Sequence, residues 1–181
     1  KVVDHEGLRP TADRVRETLF NWLGQSLEGK VCFDMFSGSG SLGFEALSRG
    51  AKTVYMHEIA APVLTALKNN YAQFEGDPIL GRCDISRISG VTFAKGLPDQ
   101  SIDICFIDPP FSARHLFEEA LNEALRIVNN EFGSAIYIEH PKDLHIDLLL
   151  NEFSNFLPCW EIRRTIRSGM ATGTLIVPKN R

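Results

Sequence analysis

The sequence predicts an α/β protein built on a mainly parallel, doubly wound sheet that ends in an antiparallel hairpin at its C-terminal edge. Three observations carry that expectation. Short apolar runs alternate with stretches of helical periodicity through most of the chain, the pattern of strand–helix–strand units. Four successive runs end in an acid, at Asp34, Glu58, Asp84 and Asp108, and the carboxyl ends of parallel strands are where open sheets hold ligands. The last two runs, Trp160–Arg167 and Thr172–Val177, are separated only by a Gly169–Thr172 turn, so they read as a hairpin.

Each element has its own signal. Thr11 can cap a helix running to about Leu27, with Val15, Leu19, Trp22 and Leu23 on one face. Val31–Asp34 is the first strand, and the helix Ser41–Arg49 stops at Gly50. Thr53–His57 is the second strand. Pro62 opens a helix whose Val63, Leu67, Tyr71 and Phe74 share a face, and Gly76-Asp-Pro78 breaks it. The third strand is expected over Ile79–Cys83, followed by a short, weakly patterned helix over Ile85–Ala94. Ile102–Ile107 is the fourth strand. His115–Asn129 is the clearest amphipathic helix, and Gly133 opens the fifth strand, Ser134–Glu139. A helix around Leu144–Phe153 precedes the hairpin. No repeat, low-complexity segment or linker interrupts the chain, so a single domain is expected over residues 1–181, with 1–28 an N-terminal extension and first helix and 29–181 the core.

Composition agrees with one domain. A chain of 181 residues, 44% of them hydrophobic, can bury a substantial core. No apolar run is long enough to span a membrane, and no secretory leader is visible. Cys32, Cys83, Cys105 and Cys159 are far apart and show no CxxC pattern; they read as reduced thiols, the first three inside strands, with no metal site. A cytoplasmic protein and a monomer are the economical expectations.

Asp108-Pro109-Pro110-Phe111, at the end of the fourth strand, is the most informative motif. An exocyclic amine on a nucleobase is a poor nucleophile because its lone pair is delocalised into the ring. Acceptors at its two N–H groups, here the Asp108 carboxylate and a nearby backbone carbonyl, favour a pyramidal nitrogen with a localised lone pair. That gain appears mainly in the transition state. The two prolines fix φ and stiffen the loop that holds the carbonyl, and Pro109 pushes Asp108 towards an extended conformation. Phe111 offers a flat face to an unstacked base. The bland alternative is a strand-ending acid, a rigid turn and a core phenylalanine.

The second motif joins a strand to a helix. Gly38-x-Gly40-x-x-Gly43 matches a dinucleotide fingerprint, with Glu58 ending the next apolar run. Asp34, four positions before the first glycine, argues against a pyrophosphate. A carboxylate there suits a ligand carrying an ammonium, such as the amino-acid end of S-adenosylmethionine. Glu58 can then accept the ribose hydroxyls and Asp84 the adenine amine.

Leu8-Arg-Pro-Thr11, Arg14-Val-Arg-Glu17-Thr-Leu-Phe-Asn-Trp-Leu23, Asp34-x-Phe36-x-Gly-Ser-Gly40, Glu45-Ala-Leu-Ser-Arg-Gly-Ala51 and Asp108-Pro-Pro-Phe111 together resemble the RsmD family, bacterial methyltransferases of guanine N2 in small-subunit ribosomal RNA. The resemblance is specific from Leu8 to about Phe111 and looser beyond. It implies a class I, Rossmann-like methyltransferase fold with a mainly parallel seven-stranded sheet. It also implies S-adenosylmethionine as donor, no metal, and as acceptor a guanine in the helix 31 loop of 16S RNA, within the small subunit or an assembly intermediate. Carried over by position, Asp34, Phe36, Gly38, Gly40, Glu58, Asp84 and Asp108 would hold the donor. Asp108, Pro109, Pro110 and Phe111 would form the catalytic tetrad, with direct in-line transfer to a flipped base. Arg9, Thr11, Arg14 and Phe111 would meet the RNA. The same tetrad serves adenine-N6 methyltransferases, and a related Asn-Pro-Pro-Tyr form serves protein glutamine. A nicotinamide oxidoreductase is disfavoured by Asp34, and a non-catalytic assembly factor by the intact tetrad.

The sequence departs from the family's pattern in three ways. Ile59-Ala60 follows Glu58 where relatives often carry a second acid, Glu139-His140-Pro141 is unusual after the fifth strand, and the basic hairpin that usually opens the family is not in this sequence. His140 is assigned no role beyond packing. Lys1 is not a methionine, so the expectation is a fragment that binds RNA more weakly than the complete chain. The net charge of −4 does not itself favour RNA. Positive clusters remain at Arg9/Arg14/Arg16 and Arg163/Arg164/Arg167; by strand alternation Arg163 and Arg167 share a face and Arg164 takes the other.

Overall fold

A computed structural model describes residues 10–153, 155 and 159–179, with Pro10 and Thr11 described by backbone alone. Five strands are parallel: β1 (Val31–Asp34), β2 (Thr53–His57), β3 (Arg82–Ser86), β4 (Ile104–Ile107) and β5 (Ala135–Pro141). Then β6 (Trp160–Ser168) and β7 (Ala171–Pro178) form the expected antiparallel hairpin, with β7 inserted between β5 and β6. The order β3-β2-β1-β4-β5-β7-β6 places a topological switch between β1 and β4, where a ligand cleft opens in such sheets.

The helices divide between the two faces. On one side lie α1 (Pro10–Leu23), α2 (Ser41–Ser48) and α3 (Ala61–Ala72), whose Val15, Leu19, Phe20, Ala46, Leu47 and Leu67 pack on Cys32, Val54, Phe106 and Tyr137. On the other lie α4 (Gly90–Lys95), α5 (Arg114–Ile127) and α6 (Ile146–Glu152), whose Val91, Phe117, Leu121 and Leu149 cover Phe33, Cys105, Ile107 and Ile138. Parallel strands covered on both faces are apolar throughout, which is why the burial of β4 shows no alternation. No helix among the described residues is long and apolar enough to cross a membrane. Cys32 and Cys105 are buried and Cys83 and Cys159 half-buried, all four as free thiols.

Three segments differ from expectation in ways that matter for the site. The third strand begins at Arg82, three residues later than Ile79. Asp77 is the reason: its Oδ1 accepts the Ile79 N–H at 2.9 Å and its carbonyl the Leu80 N–H at 3.2 Å. That local turn uses up the apolar pair before pairing starts, leaving Ile79 exposed. The strand therefore runs to Ser86, and Asp84 stands in its middle, opposite Tyr55, with its carboxylate on Arg82 at 2.9 Å. The following helix starts correspondingly late, at Gly90, with the Ser89 hydroxyl accepting the Thr92 N–H at 3.5 Å. The first helix stops at Leu23, before Gly24, so Leu27 joins the core from a loop, its N–H on the Arg49 carbonyl at 2.8 Å.

The third difference is a bulge in β6 between Ile162 and Arg164, which pair with the consecutive residues Ile176 and Leu175. The extra residue breaks the alternation. Arg163 and Arg164 thus line one groove beside Trp22 and Val177, and Arg167, opposite Thr172, takes the other face. The expected pairing of Arg163 with Arg167 on one face is corrected accordingly.

Candidate active site

The loop from β1 to α2 is held by its own backbone. Met35 N–H donates to the Phe106 carbonyl at 3.1 Å, tying the loop to β4. Ser37 is a hub: its N–H donates to the His57 carbonyl at 3.0 Å, and its hydroxyl donates to the Asp34 carbonyl at 3.0 Å and accepts the His57 N–H at 2.9 Å. Gly40 turns the chain into α2 at φ 86°, a left-handed value that favours glycine, where a Cβ would run into Leu67 and Phe44. Gly90, at the start of α4, packs so closely on Met35 that a Cβ would collide with that residue's carbonyl. The β1–α2 loop is thus wedged between α4 and β2. Phe36 is half-buried against the α4–α5 core.

Asp34 and Glu58 both bond to backbone of this strand–loop–helix unit. Asp34 is 1% exposed. Its Oδ2 accepts the Gly43 N–H at 3.2 Å, while its Oδ1 is buried with no partner among the described residues. Burial, opposed mainly by the Gly43 N–H, pushes its carboxyl up to about 7. A buried carboxylate oxygen with no counter-charge is costly, and it fits a ligand that brings an ammonium. Glu58 spans the loop, accepting the Gly38 N–H at 3.2 Å and the Ala60 N–H at 2.7 Å. The second bond closes a local turn just before α3, whose N-cap position, Ala60, has no side-chain cap.

Asp84 does not join these acids at the strand ends. Ser86, Arg87 and Ile88 stand there in its place, with Ile88 exposed and Arg87 Nε on the Ile59 carbonyl at 3.2 Å. His57, buried beside them, has Nδ1 on the Ser86 hydroxyl at 2.9 Å and its ring 4.2 Å from that of Phe93; burial holds it down at about 4.

The tetrad leaves β4 at the switch point. Asp108 is half-buried, Pro109 buried and Pro110 exposed. Pro110 accepts the Ala113 N–H at 3.0 Å, which leads the chain towards α5. Phe111 is 38% exposed, its ring 6.4 Å from that of Phe117, so it is free to offer a face. Asp108 lines a cavity of about 100 Å³ with Tyr137, Glu139, Ser41 and Arg16 beneath α1. Burial first, then the charges of Glu139 and Asp34, hold its carboxyl well above the usual carboxylate range.

Helix α1 turns Ala12, Val15, Arg16 and Leu19 towards that cavity, whereas Arg14 is exposed outside the lining. Arg9 lies outside the described residues, as does the side chain of Thr11. Sequence reasoning missed Arg16, Tyr137 and Glu139. The signal for the last was present, since the fifth apolar run, like the first four, ends in an acid. His140 is a packing residue, with Nε2 on the Thr174 hydroxyl at 2.8 Å. No group of three or more potential metal ligands occurs among the described residues.

Residues 1–162 match the family described as conserved hypothetical protein 95. The ribosomal RNA small subunit methyltransferase D of Haemophilus influenzae is 42% identical over 145 residues, 78% of this chain and 72% of that protein. Its namesake in Escherichia coli is 43% identical over 123 residues, 67% of this chain; the match spans 58% of the length of that relative. Two solved structures are similar over almost the whole chain. One, assigned to an Escherichia coli methyltransferase, has a TM-score of 0.76 at 30% identity and covers 98% of this chain and 92% of its own. The other, assigned to a Haemophilus influenzae methylase, has a TM-score of 0.71 at 32% identity and covers 92% and 98%.

Proposed function

Because this chain belongs to the RsmD family, that of the small-subunit ribosomal RNA methyltransferases D, we propose that it transfers a methyl group from S-adenosylmethionine to the exocyclic N2 of a guanine in 16S ribosomal RNA, within the small subunit or an assembly intermediate. The observation that carries this reading is the pairing of two unfinished acids at the switch point. Asp34 has an unpartnered oxygen on the donor side, and Asp108 faces a small cavity on the acceptor side.

S-adenosylmethionine, when bound, supplies the methyl group and a positively charged sulfonium. Asp34 would take its ammonium, Phe36, Gly38 and Gly40 would bring backbone close to the methionine part, and Glu58 would exchange its bond from Gly38 for the ribose hydroxyls. We place the adenine end against Arg87 and Ile88, since Asp84 is engaged with Arg82 inside β3. On the acceptor side, Asp108 accepts an N–H of the guanine amine and a carbonyl of the proline pair accepts the other. The nitrogen lone pair is thereby localised as the N–C bond forms. Phe111 stacks on the extruded base. The proton released from N2 passes to Asp108 or to water, so charge balances when the sulfonium becomes a neutral thioether.

The test is to incubate the protein with methyl-labelled donor and small subunits lacking the modification, then digest the RNA and identify the labelled nucleoside. Label in N2-methylguanosine at a single site is the expected result. Label in N6-methyladenosine would keep the chemistry and overturn the substrate. Donor binding without any label would leave a binding-only assembly factor.

A further inference from the structure

We propose that Glu139 is the residue that selects guanine: standing beside Asp108, its carboxylate accepts the base's N1–H while Asp108 accepts the neighbouring N2–H. The inference rests on the guanine-N2 reading above and adds to it the means of discrimination.

The geometry begins in the sheet register. Strands β4 and β5 are parallel and pair Ile104 with Ala135 through Ile107 with Ile138. One step beyond that last pair, Asp108 follows Ile107 and Glu139 follows Ile138, which turns both acids to the sheet face opposite the two isoleucines. Both line the same cavity beneath α1, with Tyr137, Ser41 and Arg16. The Tyr137 hydroxyl donates to Glu139 Oε2 at 3.4 Å, leaving Oε1 without a protein donor among the described residues. Tyr137 can occupy that place because β7 carries Gly173 opposite Glu139, and a Cβ there would collide with the tyrosine hydroxyl. The side chain is therefore positioned rather than simply solvated.

Two adjacent acceptors need two adjacent donors. The pairing edge of guanine presents N1–H beside N2–H₂, which meets that requirement. Adenine presents an amine beside the bare N1 and cytosine an amine beside the bare N3; in both, a lone pair would confront the second carboxylate. A site built to be paired by donors rejects ligands that leave its buried groups unpaired. The two carboxylates also oppose each other's ionisation: burial and then Glu139 raise Asp108, and burial raises Glu139. The N–H donors of guanine relieve that opposition as the base enters.

The experiment uses small subunits reassembled with RNA carrying either guanine or 2-aminopurine at the methylated position. The analogue keeps the exocyclic amine and replaces N1–H with a lone pair. Wild-type protein is expected to favour guanine by about 100-fold or more in kcat/KM, the scale on which sites reject a substrate lacking a required donor. Glu139→Gln, whose amide can donate to the bare nitrogen, should lose activity on guanine, hold or gain it on 2-aminopurine, and shrink the preference to below about tenfold. Glu139→Ala should shrink it too, giving a second route if the amide disturbs folding. Binding of S-adenosylhomocysteine by calorimetry, unchanged within about threefold, confirms that the donor site is intact. If both variants slow the two substrates by the same factor, Glu139 only supports Asp108 and the proposal is overturned. If wild-type protein labels a base other than guanine, the reading beneath the proposal fails first, and the proposal with it.

Discussion

The two halves of the cleft are built on different plans. On the donor side, the β1–α2 loop is tied down at several points by protein partners. Ser37 makes four hydrogen bonds, Glu58 receives two backbone N–H groups, and Gly43 caps one oxygen of Asp34, while Asp34 Oδ1 is left without a partner among the described residues. On the acceptor side, Asp108 and Glu139 face one cavity with, among the described residues, a single long side-chain bond, from Tyr137 at 3.4 Å. A loop that satisfies itself is shaped before its ligand arrives. A pair of carboxylates that does not is completed only by a substrate bearing donors. Under the proposed function, this difference would let the protein hold its donor readily and place discrimination between bases in the half left incomplete.

The sharpest way to break this contrast is Asp108→Ala. If the acceptor half acts mainly in the transition state, turnover on small subunits should fall by about 1,000-fold or more, while S-adenosylhomocysteine binding changes by no more than a few fold. A variant with substantial turnover would remove the polarising role of Asp108. Equal losses in both readouts would mean that the two halves are not separable.

Asp34→Asn should do the opposite, weakening donor binding about 10- to 100-fold through loss of one charge-assisted contact. Its stability signature is equally specific. The folded carboxyl, at about 7, lies above its ordinary value of 3.8, so the unfolded chain releases this proton first. The contribution of Asp34 is neutral at low pH, becomes increasingly unfavourable from about pH 4 to about pH 7, and is constant above that. Relative to wild type, the ligand-free Asn variant should therefore gain stability between pH 5 and pH 8, by a few kcal/mol at most. Urea unfolding at the two pH values checks it. His57 works in the other direction: held near 4, it costs the fold stability as pH falls below 6.5. That cost is common to both proteins and cancels in the difference.

Much of the donor half was legible in the sequence because its parts are local. An apolar run followed by an acid and a spaced glycine loop fixes Asp34, Gly38 and Gly40 within one strand–turn–helix unit, and Glu58 ends the adjacent strand. Asp84 was misplaced for an equally local reason: the Asp77 turn captured Ile79 and Leu80, which periodicity alone assigns to the strand. The acceptor half was legible only at the tetrad. Glu139 sits 31 positions beyond Asp108 and becomes its neighbour through the β4–β5 register. Arg16 and Val15 reach the cavity from a helix more than 90 positions before the tetrad. Contacts of that kind follow from topology, which a motif does not encode. The β6 bulge had no compositional mark, and it moved Arg163 to the face of Arg164.

Phe111 tests whether the acceptor half also uses shape. Its half-open ring, backed by Phe117 at 6.4 Å, can stack on an extruded base. Phe111→Ala should raise KM for small subunits about tenfold, within the range of a lost base–aromatic stack, and leave donor binding alone. Phe111→Tyr should retain most activity, since it keeps the ring. A tenfold loss in kcat with no change in KM would instead assign the ring to alignment of the tetrad.

The smallest effect concerns charge outside the cleft and would extend the contrast along the sheet. The turn of the β6–β7 hairpin lies at the same end as the tetrad, because β7 is antiparallel to β5 and pairs Thr172 with His140, one residue beyond Glu139. Arg167 stands opposite Thr172, near that end. Arg163 and Arg164 lie further down the strand, and Arg163 is held by Glu161 at 2.7 Å. If RNA approaches over the carboxyl ends of the strands, Arg167 is the one of these three hairpin arginines placed to meet a phosphate. Arg167→Ala should then reduce the slope of log affinity against log salt for small subunits by up to about one, with a two- to threefold loss of affinity near physiological salt. The double variant Arg163→Ala/Arg164→Ala should leave that slope unchanged. The reverse result would move the RNA path to the groove beside Trp22 and place it against the α1 face of the hairpin, away from the rim of the cleft.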